Sequence, residues 1–148
     1  MSERSEQTMS TMRGRPIPQP TELSAPYWEA ARRGELLYLR CRSCGTVFFP
    51  PLEACINCQS DDLVWERSAG RGTVYTYTVL HGAPSAGFPV PSVLAIVDVD
   101  EGYPVMTSIV GCPPGDVRIG MPVEVCFEEL TDEIDLPVFR PADLEDHA

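Results

Sequence analysis

From residue 71 onward, apolar residues come in short runs. The segments RGTVYTYTVLH (71–81), SVLAIVDVD (92–100), YPVMTSIV (103–110), MPVEVCFEEL (121–130) and LPVFRPA (136–142) are rich in Val, Ile, Tyr and Thr. Gly, Pro and Asp separate them, and β-branched or aromatic runs bounded by such turn formers read as strands. Five strands are therefore predicted. In the first, Val74, Thr76 and Thr78 alternate with Tyr75, Tyr77 and Val79, so regular pleating puts Tyr75 and Tyr77 on one face. Asp98 and Asp100 alternate with Val97 and Val99 and are expected to face water. Five short strands suggest a small closed barrel, of which the OB-fold is the commonest five-stranded form.

The first half follows another pattern. Residues 1–20 are polar, end in RPIPQP, lack an apolar face and are expected to be disordered. SAPYWEAARRG (24–34) reads as one short helix. Ser24 is placed as its cap, Pro26 in the first turn and Gly34 at the end, with Tyr27, Trp28 and Ala31 forming an apolar face. ELLYLRC (35–41) reads as a strand leading into the first cysteines. The expected class is mainly β: an N-terminal helix and a small ribbon over 21–68, then a five-stranded OB-fold-like barrel over 69–142. Residues 143–148 form a loose acidic tail.

Charge narrows the function. The 148 residues carry 22 acids against 11 bases, a formal net charge of −11, and every base is arginine. Such a chain repels nucleic-acid phosphates overall, and residues 70–142 hold only Arg71, Arg118 and Arg140. No apolar run is long enough to span a membrane. The N-terminus has no apolar core of a secretion signal, so a reducing, cytoplasmic location is expected.

Four cysteines form two Cys-x-x-Cys pairs, Cys41/Cys44 and Cys55/Cys58, ten residues apart. Two such pairs suit a tetrahedral zinc ion held by four thiolates. Gly45 lets the chain turn back over the first pair, and the stiff FFPP at 48–51 spaces the second. Iron in the same cage is the alternative, which colour would reveal. Disulfides do not suit the compartment, and a redox site wants one pair at a helix start. Four cysteine ligands leave no position for water or substrate, so the metal is read as structural. Cys126 is placed in the core by its apolar strand pattern; Cys112 and His81 receive no role.

No catalytic constellation is evident. His147 lies in the tail, His81 ends a strand, and Ser85 has no nucleophile-elbow context. Asp98, Asp100 and Glu101 read as strand-end acids, and Glu128 and Glu129 as a solvated acidic run.

The order of features resembles a family of OB-fold, acyl-CoA-associated proteins with a rubredoxin-like zinc ribbon, catalogued as domain of unknown function 35. The resemblance covers roughly residues 21–142. It rests on the aromatic helix, the ribbon with its FFPP spacer, GRGTVYTYT, IGMPV and PVFRP. Gln59 departs from it, standing where a glycine is expected after the second pair. The resemblance implies a small partner of a thiolase-superfamily enzyme (a thiolase or lipid-transfer-protein-like aldolase) or of a hydratase. It implies work in acyl-CoA metabolism such as lipid or steroid side-chain degradation, with the chemistry left to that enzyme. A hetero-oligomer is expected, with a coenzyme A thioester at the shared interface. Arg32, Arg33, Arg40 and Arg42 are candidates for its phosphates, and Tyr27, Trp28 and Phe88 for partner contact. The competing reading is a nucleic-acid-binding module, with Tyr75 and Tyr77 as a stacking pair.

Overall fold

The computed structural model describes residues 17–82 and 90–142. Phe88 and Ser85 therefore lie outside the described residues, as do 1–16 and the tail 143–148. Residues 17–20 carry no regular secondary structure and lead into a helix. That helix, α1, spans Ala25–Arg32 and buries Tyr27, Ala30 and Ala31, the i, i+3, i+4 stripe of one face. It packs on β1 (Leu37–Cys41) and on β8 (Asp135–Pro141).

Ser24 does not cap α1 with its side chain. Thr21, one turn earlier, takes that part. Thr21 Oγ1 accepts the Ser24 N–H at 3.1 Å, and Ser24 Oγ accepts the Thr21 N–H at 2.9 Å. This reciprocal pair has the geometry of a capping box, with serine in the usual glutamate position. The other end is as expected. Gly34 sits at φ +77°, Glu35 N–H donates to Ala30 and Gly34 N–H to Ala31, which is a Schellman ending.

β1 is the centre of a three-stranded antiparallel sheet between β2 (Val47–Phe48) and β3 (Leu63–Arg67). Leu39, Cys41, Phe48 and Cys55 form its small core. The remaining strands, β4 (Arg71–Leu80), β5 (Ser92–Val99), β6 (Tyr103–Ile109), β7 (Pro122–Glu129) and β8, close a barrel in the order β4-β5-β6-β8-β7. β6 and β8 meet in parallel at Ile109 and Phe139. Val74, Val93, Val97, Val123 and Phe139 fill the interior. Each full aliphatic burial contributes about 1.5–3 kcal/mol.

Pleating along β4 is not regular. Val74 pairs with Val97, but Thr76 pairs with the next residue, Ile96, so Tyr75 is an extra residue in a bulge. Beyond it the faces exchange. Val74 points in, Tyr75 is 62% exposed, and Tyr77 and Val79 pack back on the core. The expected tyrosine pair on one face does not exist, and the stacking platform it would have offered to nucleic acid goes with it.

The ribbon sheet and the barrel pack on each other. Tyr38 of β1 stacks on Tyr103 of β6, their rings 5.2 Å apart, and Trp65 of β3 packs against both clusters. Polar contacts fix the joint. Glu101, in the β5–β6 turn, accepts from the Ser68 hydroxyl and from the Ala69 N–H at 2.9 Å. Glu101 is thus a clamp on the β3–β4 connection and not simply a turn acid; only the fold brings it to residues 33 and 32 positions away. Burial pushes the Tyr27 and Tyr103 hydroxyls well above their ordinary ionisation range.

Candidate metal centre and surrounding surface

Each Cys-x-x-Cys pair forms a tight knuckle, and the two are built alike. Cys41 N–H donates to Thr46 and Gly45 N–H to Cys41; Cys55 N–H donates to Ser60 and Gln59 N–H to Cys55. Both returns need positive φ, +81° at Gly45 and +65° at Gln59. The departure at Gln59 therefore has a structural cost, because a side chain in the left-handed region is disfavoured by about 1 kcal/mol. Gln59→Gly is expected to raise the stability of the metal-loaded protein by about that much, and Gly45→Gln to lower it. Thermal unfolding of both variants checks the pair of signs.

The four sulfurs converge with all ligand atoms inside 4.8 Å. Cys41–Cys58 and Cys44–Cys55, one residue from each knuckle, lie 3.6 Å apart. A tetrahedron with Zn–S bonds of about 2.3 Å has edges of about 3.8 Å, so the spacing fits a zinc ion. The first cysteine of each knuckle, Cys41 and Cys55, is buried; the second is exposed. Asn57 serves both knuckles, its N–H donating to Cys55 Sγ at 3.3 Å and its amide to Cys44 Sγ at 3.6 Å. Contacts with Thr46, first its hydroxyl and then its backbone, pull the Cys44 thiol down to about 6. That favours the thiolate needed as a ligand.

The other sequence candidates are placed as follows. Tyr27 is turned inward, 7% exposed, its ring 4.6 Å from Phe49 and 5.1 Å from Trp28. It packs on its own domain and offers no surface. Trp28 lines a cleft of about 600 Å³ with Arg32, residues 17–20 and the β7–β8 turn. The four arginines do not form one free patch. Arg32 donates to the Asp132 carbonyl at 3.2 Å, and Arg33 pairs with Glu35 at 3.4 Å. Arg40 pairs with Glu66 at 2.9 Å, and Arg42 with Asp62 at 3.8 Å. The hydrogen bond from the Arg40 guanidinium holds the Glu66 carboxyl below its usual range. Of the two remaining cysteines, Cys112, given no role, lies in a loop and packs against the core, whereas Cys126, expected in the core, is half-buried on the other side of β7 from Val125 and Phe127. The strand pattern missed this because Cys126 sits between the inward positions. No helix of the described residues is long and apolar enough to cross a membrane.

Comparison with known proteins agrees with this architecture. Residues 28–64 match the family model described as "ChsH2, rubredoxin-like zinc ribbon domain" and residues 65–128 that described as "ChsH2, C-terminal OB-fold domain". A probable enoyl-CoA hydratase alpha subunit of Thermomonospora curvata is 41% identical over 128 residues, 86% of this chain. The chain spans only 40% of that relative's length. A DUF35 domain-containing scaffold protein of Methanocaldococcus jannaschii is 41% identical over 102 residues, 68% of this chain and 72% of the relative. Among solved structures, a chain described as "Ltp2-ChsH2(DUF35) aldolase" superposes with a TM-score of 0.78 at 39% identity, covering 86% of this chain and all of that one. With its ribbon, its barrel and these relatives in agreement, the chain belongs to the DUF35 family.

Proposed function

We propose that the chain is a non-catalytic accessory subunit that binds and supports a thiolase-superfamily enzyme, an aldolase or thiolase, or a hydratase acting on acyl-CoA. The observation that carries this is the match of 86% of this chain to the whole of a chain described as "Ltp2-ChsH2(DUF35) aldolase". The metal centre supports it, because four cysteines fill the coordination shell and leave no position at which substrate could be activated. Lipid or steroid side-chain degradation is the proposed setting, and the cytoplasm, where free thiols persist, the proposed location.

Arg32, Arg33, Arg40 and Arg42 are the proposed contacts for coenzyme A phosphates. Arg33 and Arg42 have exposed side chains, in long pairs with Glu35 and Asp62. Exposed pairs of this kind stabilise little and can be exchanged for a phosphate. Trp28 and Phe88 are the proposed partner contacts.

The test is capture of a C-terminally tagged chain from its native lysate at low salt. An acyl-CoA aldolase, thiolase or hydratase retained near stoichiometry is the expected result. Retention of nucleic acid, or of no acyl-CoA enzyme, contradicts the reading.

A further inference from the structure

The outside of the barrel is divided by charge. On the β7–β8 flank, Glu124 and Arg140 face outward as an ion pair at 3.2 Å. On the β4–β5–β6 flank the register sets Thr76 opposite Ile96 and Ile96 opposite Met106, with Thr78, Leu94 and Ser108 in the next row. None of these six is charged, in a chain of which 22% of residues are. β5 carries the clearest signal. Val93, Ala95 and Val97 point into the core, yet the alternate residues Leu94 and Ile96 are also apolar. An antiparallel strand with one face in water normally alternates apolar with polar; the middle of β5, between Ser92 and the exposed Asp98, is apolar on both faces and departs from that rule.

Two further features enlarge this face. The bulge in β4 turns Tyr75 outward, and Met106 is 67% exposed. Thr76, Thr78, Leu94, Ile96 and Met106 line a depression of about 200 Å³ on this face. Exposed Met and Tyr around an uncharged apolar centre is the composition of the buried centre of a protein–protein interface, where charges are depleted.

We propose that the outer face of β4, β5 and β6, centred on Ile96 and Met106, is the surface by which this chain docks on its acyl-CoA enzyme, against an uncharged apolar patch of that enzyme. The proposal rests on the functional reading above. Charge selects this occupant over others. A second copy would bring together two chains of net charge −11, which repel. Nucleic acid would find no arginine here to neutralise its phosphates.

The test places a charge on the face without touching the core. Tyr75→Asp/Met106→Asp alters two exposed side chains, and Glu129→Arg, at the end of β7, is the control. Zinc content and unfolding temperature are expected to match the unmodified chain for both. Affinity for the acyl-CoA enzyme that the tagged chain retains is then titrated. A loss of about 30-fold or more for the double variant, with the control unchanged, is expected. Unchanged affinity in the double variant overturns the surface while leaving the accessory role standing. So does a concentration-dependent dimer of the unmodified chain that the double variant abolishes. Absence of any retained acyl-CoA enzyme overturns both readings together.

Discussion

Chelation of the metal is expected to unfold the ribbon while leaving the barrel strands paired. The ribbon's own core consists of Leu39, Cys41, Phe48 and Cys55, and two of these four are metal ligands. So small a core cannot offset the chain entropy of its loops. Structural zinc in such domains supplies an apparent binding energy of about 10–16 kcal/mol, which is also folding energy. The barrel keeps an interior of its own, with Val74, Val93, Val97, Val123 and Phe139 all buried. Trp65 on β3 lies between the two clusters and is a natural reporter. Its fluorescence should shift to the red on chelation and recover with zinc, while most strand signal in the far ultraviolet remains. Replacing a buried ligand, as in Cys55→Ser, should reproduce the effect without a chelator, and more severely than Cys58→Ser at an exposed position. A metal-free protein with unchanged fluorescence and stability would show that the ribbon does not need its ion.

Gly72→Ala is expected to cost about 3 kcal/mol, or on the order of 10 °C in Tm. Gly72 belongs to two strand pairs at once, opposite Val99 of β5 and Val123 of β7, where the barrel closes. A Cβ placed there would lie 2.5 Å from the Asp98 carbonyl oxygen and 2.7 Å from Val97 Cγ1. The carbonyl belongs to the ladder and cannot move without breaking it. Gly115→Ala, with nothing near its Cβ position, should be close to silent. Equal unfolding temperatures for the two variants would show that the barrel closes without this close approach. Gly70, two residues earlier, answers two needs, since its φ is +78° and a Cβ there would lie 2.5 Å from Val125 Cγ1. The GRGT motif thus carries one glycine for conformation and space together and one for space alone.

Much of this was legible along the chain because it depends on local pattern. The barrel strands follow from β-branched runs and turn residues, and the metal site from cysteine spacing and Gly45. What escaped depends on partners distant in sequence. The bulge at Tyr75 arises from pairing with β5 and reverses the face of every later residue in β4, so alternation alone misassigned Tyr77. The two-residue strand β2 is too short to carry a pattern. Glu101 is an ordinary turn acid until the fold brings Ser68 and Ala69 to it. Thr21 displaced Ser24 as the cap because the chain begins to turn before Ala25, and the two hydroxyl residues bond each other. The arginines near the ribbon looked like one patch, but each guanidinium finds its own acceptor, among them Glu35, Glu66 and Asp62.

The role proposed above is to support acyl-CoA chemistry without performing it. The direct measurement is acyl-CoA turnover by the zinc-loaded chain alone, by the captured enzyme stripped of it, and by the two recombined. No turnover by the chain alone is expected, and recombined activity or stability above that of the stripped enzyme. Turnover by the isolated chain would contradict it, as would an enzyme indifferent to the chain's presence.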